Sequence, residues 1–156
     1  MPASPRYRTP ALFHPFPRLL AAESTRRGGV SPEPYASLNL GFHTDDNPAH
    51  VAENRRRLLS DLRAQPDQLA ESYQVHGREV LRVEKPGRYE GYDALITDRP
   101  GILLAVKTAD CTPVLIFDPM RRAVAAVHAG WRGTTAEIVR HTLEKMREHF
   151  GTDPAA

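Results

Sequence analysis

Cysteine and tryptophan each occur once in this chain of 156 residues, and long apolar runs are missing. A single cysteine cannot close an internal disulfide, which removes the disulfide-scaffold class of secreted domains. It leaves Cys111 as a ligand, a nucleophile or a small buried apolar residue. The longest apolar stretches are interrupted by Pro, Lys, Asp or Arg well before the roughly 18 to 20 residues that a bilayer requires, so no membrane span is expected. Residues 11–22 do not suit the apolar core of an export signal, because His14, Pro15, Pro17 and Arg18 break them. The cytoplasm is the expected address. An excess of one charge is also lacking, since 21 basic against 19 acidic residues leave a formal +2. That balance gives little drive toward nucleic acid or anionic lipid. With 40% apolar and 26% charged residues the chain can bury a core, and its length suits one domain and is short for two.

Proline is what the chain has in excess, at 14 residues. Five fall in the first seventeen positions, so residues 1–20 are expected to form an extended lead-in. Arg26-Arg27-Gly28-Gly29-Val30-Ser31 reads as a turn with two positions free to adopt positive φ. Ser37 to Gly41 alternates like a short strand. A helix is predicted from Asn47, a strong N-cap, with Pro48 at its first position and Val51, Leu58, Leu59 and Leu62 on one face. Arg55, Arg56 and Arg57 are expected on its solvated side.

Strands follow at residues 70–75, 79–83, 93–97, 102–106, 114–117 and 123–128, separated by turn chemistry. Their close spacing predicts hairpins and a mostly antiparallel sheet. Thr134 to Glu137 matches a capping box, opening a helix with Val139, Leu143, Met146 and Phe150 in one stripe and Gly151 as its C-terminal cap. A strand leading into a long helix is two-thirds of a strand-helix-strand unit, and no residues remain for the returning strand.

His76, Cys111 and His128 stand out chemically, each at or just past a predicted strand end. A hairpin pairing Phe117 with Ala123 brings Cys111 and His128 within one residue of direct opposition, about 5 Å apart at Cβ. One thiolate and two imidazoles suit zinc with a fourth position left open, and soft donors also admit copper. The same residues could instead serve a cysteine hydrolase, with Cys111 as nucleophile and a histidine as base. His128-Ala129-Gly130-Trp131-Arg132-Gly133 places glycines, an aromatic and a cation before the predicted helix, a plausible anion seat with Arg132. Trp131 is equally readable as a core aromatic. Asp110 could orient a ligand histidine or cap a turn.

Gln74-Val75-His76-Gly77, Thr108 to Val114 and Ala125 to Gly133 together resemble the bacterial YfiH-type family, known as laccase-domain or polyphenol oxidase proteins, peptidoglycan editing factors and purine nucleoside phosphorylases. Residues 25–31, 35–41 and 46–58 resemble its N-terminal segments in the same order. The resemblance implies an α+β fold, a mixed β-sandwich flanked by helices in α/β/β/α layers. It implies His76, Cys111 and His128 as the metal-binding and catalytic trio, with zinc as the cofactor and copper as an option. It further implies phosphorolysis of adenosine, inosine and S-methyl-5′-thioadenosine, with adenosine deamination. Zinc at an open site lowers the pKa of water toward about 7, which suits deamination. Arg132, beside the glycine-rich helix start, is the candidate for phosphate, and Asn39 and Arg26 lie in matching segments as substrate contacts.

Family members run well past residue 156, so the chain is expected to be the N-terminal portion of a single such domain, spanning 1–156, with the C-terminal part missing. Three readings compete with the phosphorylase. One is a cysteine hydrolase of a peptidoglycan-precursor amide, and another is an incomplete, inactive fragment. The third, a multicopper oxidase, is disfavoured because its copper centres need many histidines, commonly in His-x-His pairs, and no two of the seven here are two apart. The expected partners are purine nucleosides and phosphate, without nucleic acid or membrane, in a monomer or homodimer.

Overall fold

The computed structural model describes residues 5–155, so the first four residues of the proline-rich lead-in lie outside the described residues. The chain divides into two compact units, Met1–Pro66 and Asp67–Ala156. In the first, strand β1 (Tyr7–Arg8) pairs antiparallel with β2 (Glu23–Ser24). Between them a short 3-10 turn at Ala11–Phe13 buries Phe13. Helix α1 spans Pro48–Asp61, and the Asn47 side chain accepts from the Ala49 amide as the predicted cap. Val51 and Leu59 are buried along it.

The strand expected at residues 37–41 does not form. A side chain from α1 takes the place of a neighbouring strand there. Asn54, fully buried, donates to Ser31 Oγ and to the carbonyls of Ser37 and Asn39, and accepts from the Val30 amide. Backbone groups satisfied this way need no sheet ladder. The Gly28-Gly29 turn is confirmed, with Gly28 at φ +83°, whereas Gly29 is required by space, since a Cβ there would overlap the Ser37 carbonyl. The three arginines are not equally solvated: Arg56 and Arg57 share Glu53, but Arg55 donates to the Leu40 carbonyl and lies over the Phe42 ring.

The second unit holds seven strands: β3 (Leu69–Tyr73), β4 (Val80–Arg82), β5 (Gly87–Glu90), β6 (Ala94–Thr97), β7 (Leu103–Ala105), β8 (Thr112–Asp118) and β9 (Ala123–Ala129). They form two sheets, β5-β3-β7 and β4-β6-β9-β8. From β3 to β7 successive strands alternate between the sheets, so short connections cross between layers instead of closing hairpins. Strands two apart then run the same way, and β3 pairs parallel with both β5 and β7, as β4 does with β6. The expectation of a mostly antiparallel sheet is therefore corrected. The β6–β9 and β8–β9 pairs are antiparallel. Strand β5 was hidden by Pro86 and Gly87 at its start.

Residue parity sorts the core. Ala94, Ile96, Ala123, Ala125 and Val127 face helix α3 (Ile138–Phe150), which buries Ile138 and Met146 against them. Ala70, Val83 and Leu95 pack on the opposite side, between the sheets. The unit is thus layered helix, sheet, sheet, a mixed α+β architecture as expected. Each fully buried Val, Leu, Ile or Met side chain contributes about 1.5–3 kcal/mol, and each buried alanine methyl about 0.8 kcal/mol.

The predicted capping box does not form. The chain enters helix α2 (Trp131–Thr135) directly after β9, with Gly130 as N-cap. Glu137, at φ +57°, then joins α2 to α3. Gly151 closes α3 in the left-handed conformation as predicted. Among the described residues no helix is long and apolar enough to cross a membrane.

Candidate metal centre

Three backbone features bring His76, Cys111 and His128 together. His128 lies near the end of β9, buried on the side that faces the other sheet. Cys111 immediately precedes β8, whose start runs beside the end of β9. The observed pairing sets Phe117 against Val124 and Pro113 against His128, one residue off the predicted register. Pro113 does not end the ladder. Continuing the register one step puts Cys111 across from Gly130, with His128 diagonal to the thiol on the same face. The third residue, exposed His76, sits in the loop after β3 at φ +60°, a conformation costing about 1–3 kcal/mol outside glycine.

That loop is shaped by a carboxylate. Asp93, fully buried at the entrance to β6, accepts from the amides of Val75, His76 and Gly77 at 3.1, 3.0 and 2.8 Å. The same side chain lies 2.7 Å from Nδ1 of His128. Gln74 fixes a second connection, pairing through both ends of its amide with the backbone of Lys107 at 2.7 and 2.8 Å. This bond pair ties the approach to Cys111 to the approach to His76.

The ligand atoms of His76, Cys111 and His128 all lie within 4.8 Å of one another. The two imidazoles meet edge to face with centroids 4.8 Å apart. A Cβ built on Gly130 would stand 3.1 Å from His76 Cδ2, 3.3 Å from Cys111 Sγ and 3.6 Å from His128 Cε1. The glycine therefore leaves open the space on which the three side chains converge. One soft and two borderline donors around such a space fit a tetrahedral dication with one position unfilled by protein. Burial raises the Cys111 thiol pKa above its ordinary value, and the nearby Asp110 charge adds to the shift.

Asp110 lies 3.8 Å from the thiol sulfur, while the carboxylate on His128 is Asp93, a residue missed in the sequence because its partner is 35 positions away. Trp131 is 73% exposed, so it is no core aromatic, and the Arg132 guanidinium lies 5.3 Å from its ring centroid. Arg26 and Asn39 belong to the other unit, where both line a shallow cavity of about 230 Å³ with Pro34, Tyr35, Ala36 and Leu38. There Arg26 donates twice to the Ala36 carbonyl, and Asn39 donates to Thr44 and to buried Asp46.

Comparisons agree with this architecture. The family described as multi-copper polyphenol oxidoreductase laccase matches residues 20–156. A protein of Deinococcus radiodurans named purine nucleoside phosphorylase is 48% identical over 145 residues, covering 93% of this chain and 54% of that one. Purine nucleoside phosphorylase YfiH of Escherichia coli strain K12 is 47% identical over 133 residues, 83% of this chain and 54% of its own length. The crystal structure of YlmD from Geobacillus stearothermophilus superposes with a TM-score of 0.88 at 32% identity, covering 97% of this chain and 62% of that one. This chain thus spans about half the length of the curated relatives it matches. With residues 20–156 matched and the fold shared, the chain belongs to the multi-copper polyphenol oxidoreductase laccase family, the family of the YfiH-named proteins.

Proposed function

We propose that the chain carries the zinc centre of a purine nucleoside phosphorylase acting on adenosine, inosine and S-methyl-5′-thioadenosine, with adenosine deamination as a second activity. The observation that carries this reading is the convergence of His76, Cys111 and His128 within 4.8 Å. The names of relatives at 47 and 48% identity supply the substrate class. In this reading the three side chains hold the metal, with His128 offering Nε2 because Nδ1 faces Asp93. Zinc in such a set supplies a Lewis acid that activates water at neutral pH. Arg132 carries the positive charge proposed for phosphate, and Arg26 and Asn39 are the further proposed substrate contacts. The proposed setting is the cytoplasm, as a monomer or homodimer.

Cys111, His128 and Asp93 in series would also suit a cysteine hydrolase. Two observations favour the metal. A carboxylate beside the thiol opposes a free thiolate and favours a bound cation, and a second imidazole, His76, faces the first where a hydrolase needs one base. Zinc is favoured over a multicopper set because one His-Cys-His cluster is found among the described residues.

The test is phosphate-dependent release of adenine and hypoxanthine by the purified chain, with metal content measured alongside. About one zinc per chain, lost together with turnover in Cys111→Ser, is expected. A covalent adduct of Cys111 with an amide substrate, or turnover that survives Cys111→Ser, overturns the reading.

A further inference from the structure

We infer that Asp93 is the positioning residue of the centre, one carboxylate that sets both histidine ligands at once. The inference rests on the metal reading above and concerns how the site is built. Strand register puts Asp93 directly across from His128: the Ala94–Val127 pair is one step away, and the His128 amide donates to the Asp93 carbonyl at 2.7 Å. Oδ1 takes the His128 ring at 2.7 Å and the His76 amide at 3.0 Å, while Oδ2 takes Val75 at 3.1 Å and Gly77 at 2.8 Å. Three of these four partners are backbone amides and can only donate. Consecutive amides curled around an anion form a nest, and the left-handed conformation of His76 is what turns them inward.

A carboxylate so surrounded accepts from the ring as well, which requires the proton on Nδ1 and, in the neutral imidazole, leaves Nε2 bare. Asp93 thereby selects the His128 tautomer that can ligate and holds the His76 loop in the arc that brings its ring to 4.8 Å from His128. Asparagine cannot replace it. An amide has one acceptor oxygen, and its NH2 group would face donors whichever way it turned.

The test uses the whole chain, metal-free and 15N-labelled, with long-range proton–nitrogen correlation of the histidine rings. His128 with Nδ1 protonated and Nε2 bare is expected, and the opposite tautomer overturns the proposal without any variant. Zinc affinity is then measured by competition with a chromophoric chelator. Asp93→Asn, with its fold checked by circular dichroism, is expected to lose about 10- to 100-fold and to shift His128 toward the Nε2-protonated form. Affinity within threefold of the parent in the folded variant overturns the proposal. A shift in tautomer separates positioning from general destabilisation, which would leave the ring of a folded variant unchanged. If the parent takes up no zinc, the metal reading fails, and the tautomer of the metal-free chain still decides the role of Asp93.

Discussion

Gly130 lies so close to Cys111 that a Cβ on the glycine would stand 3.3 Å from the thiol sulfur. The same atom would stand 3.1 Å from the ring of His76. The backbone at Gly130 has φ −73° and ψ 169°, which any residue can adopt. Any advantage of glycine there comes from the space between the side chains and not from conformation.

This separates two effects of Gly130→Ala. The added methyl restricts the unfolded chain, which favours folding by about 0.4–1 kcal/mol. It also pushes on two ligands at once. The expected outcome is an unfolding free energy within about 1 kcal/mol of the parent and a zinc affinity lower by at least about tenfold, because ligand geometry tolerates little displacement. Urea denaturation and chelator competition check the two halves. Unchanged zinc affinity would mean that the three side chains yield to the methyl or that zinc is held elsewhere.

Gly133 gives a contrasting case. A Cβ there would stand 2.8 Å from the carbonyl oxygen of Gly77, a backbone atom in the loop that carries His76. Alanine within a helix gains about 1 kcal/mol over glycine in propensity. Forcing a methyl against a fixed carbonyl costs about 1–3 kcal/mol. Gly133→Ala is expected to be destabilising by up to about 2 kcal/mol, the difference of these two terms, read from the urea midpoint at constant slope, and to weaken zinc binding through the displaced loop. A stabilised variant would mean that the loop yields freely and does not fix His76.

These contacts mark where sequence reasoning stops. Helix α1 was legible because Asn47 and Pro48 are local signals, and the apolar periods of α1 and α3 require no tertiary knowledge. The His76, Cys111 and His128 cluster was legible by residue type and by resemblance, and the β8–β9 hairpin was found to within one residue because its turn is short. The parallel pairings were not, since alternation of strands between two sheets leaves no mark on any single strand. Asp93 was hidden for the same reason: its role follows from a β6–β9 pairing that nothing local predicts. The capping signal at Thr134 was real chemistry overruled by packing, as α2 had already begun at Trp131 with Gly133 against the His76 loop.

Acid should act on the first unit through Glu53. Hydrogen bonds from Arg56 and Arg57 hold its carboxyl down at about 2. The unfolded chain titrates this group near about 4.3, so the stabilisation is fully present above that pH and is lost as pH falls toward about 2. Glu53→Gln is expected to lower the thermal midpoint at pH 7, with the difference from the parent shrinking between pH 5 and pH 3. The effect is modest, because the ion pairs are partly exposed. A difference that stayed constant across this range would mean that Glu53 stabilises α1 by packing and not by charge.

Trp131 provides an internal reporter, being the sole tryptophan and one residue from Gly130, where an added Cβ would meet His76, Cys111 and His128. At 73% exposure its emission is expected near that of indole in water. A purine held at the centre can stack on this ring, and stacking of a base on an aromatic side chain is worth about 1–3 kcal/mol by alanine substitution. Adenosine should therefore quench and blue-shift the emission of the zinc-loaded chain and leave that of Cys111→Ser unchanged. Trp131→Ala should raise KM for adenosine by about 5- to 150-fold, the same energy expressed as affinity. Its stability should stay within about 0.5 kcal/mol of the parent, as for other exposed positions. An unquenched Trp131 together with an unchanged KM would put the base on another surface and leave the exposed indole without a part in nucleoside binding.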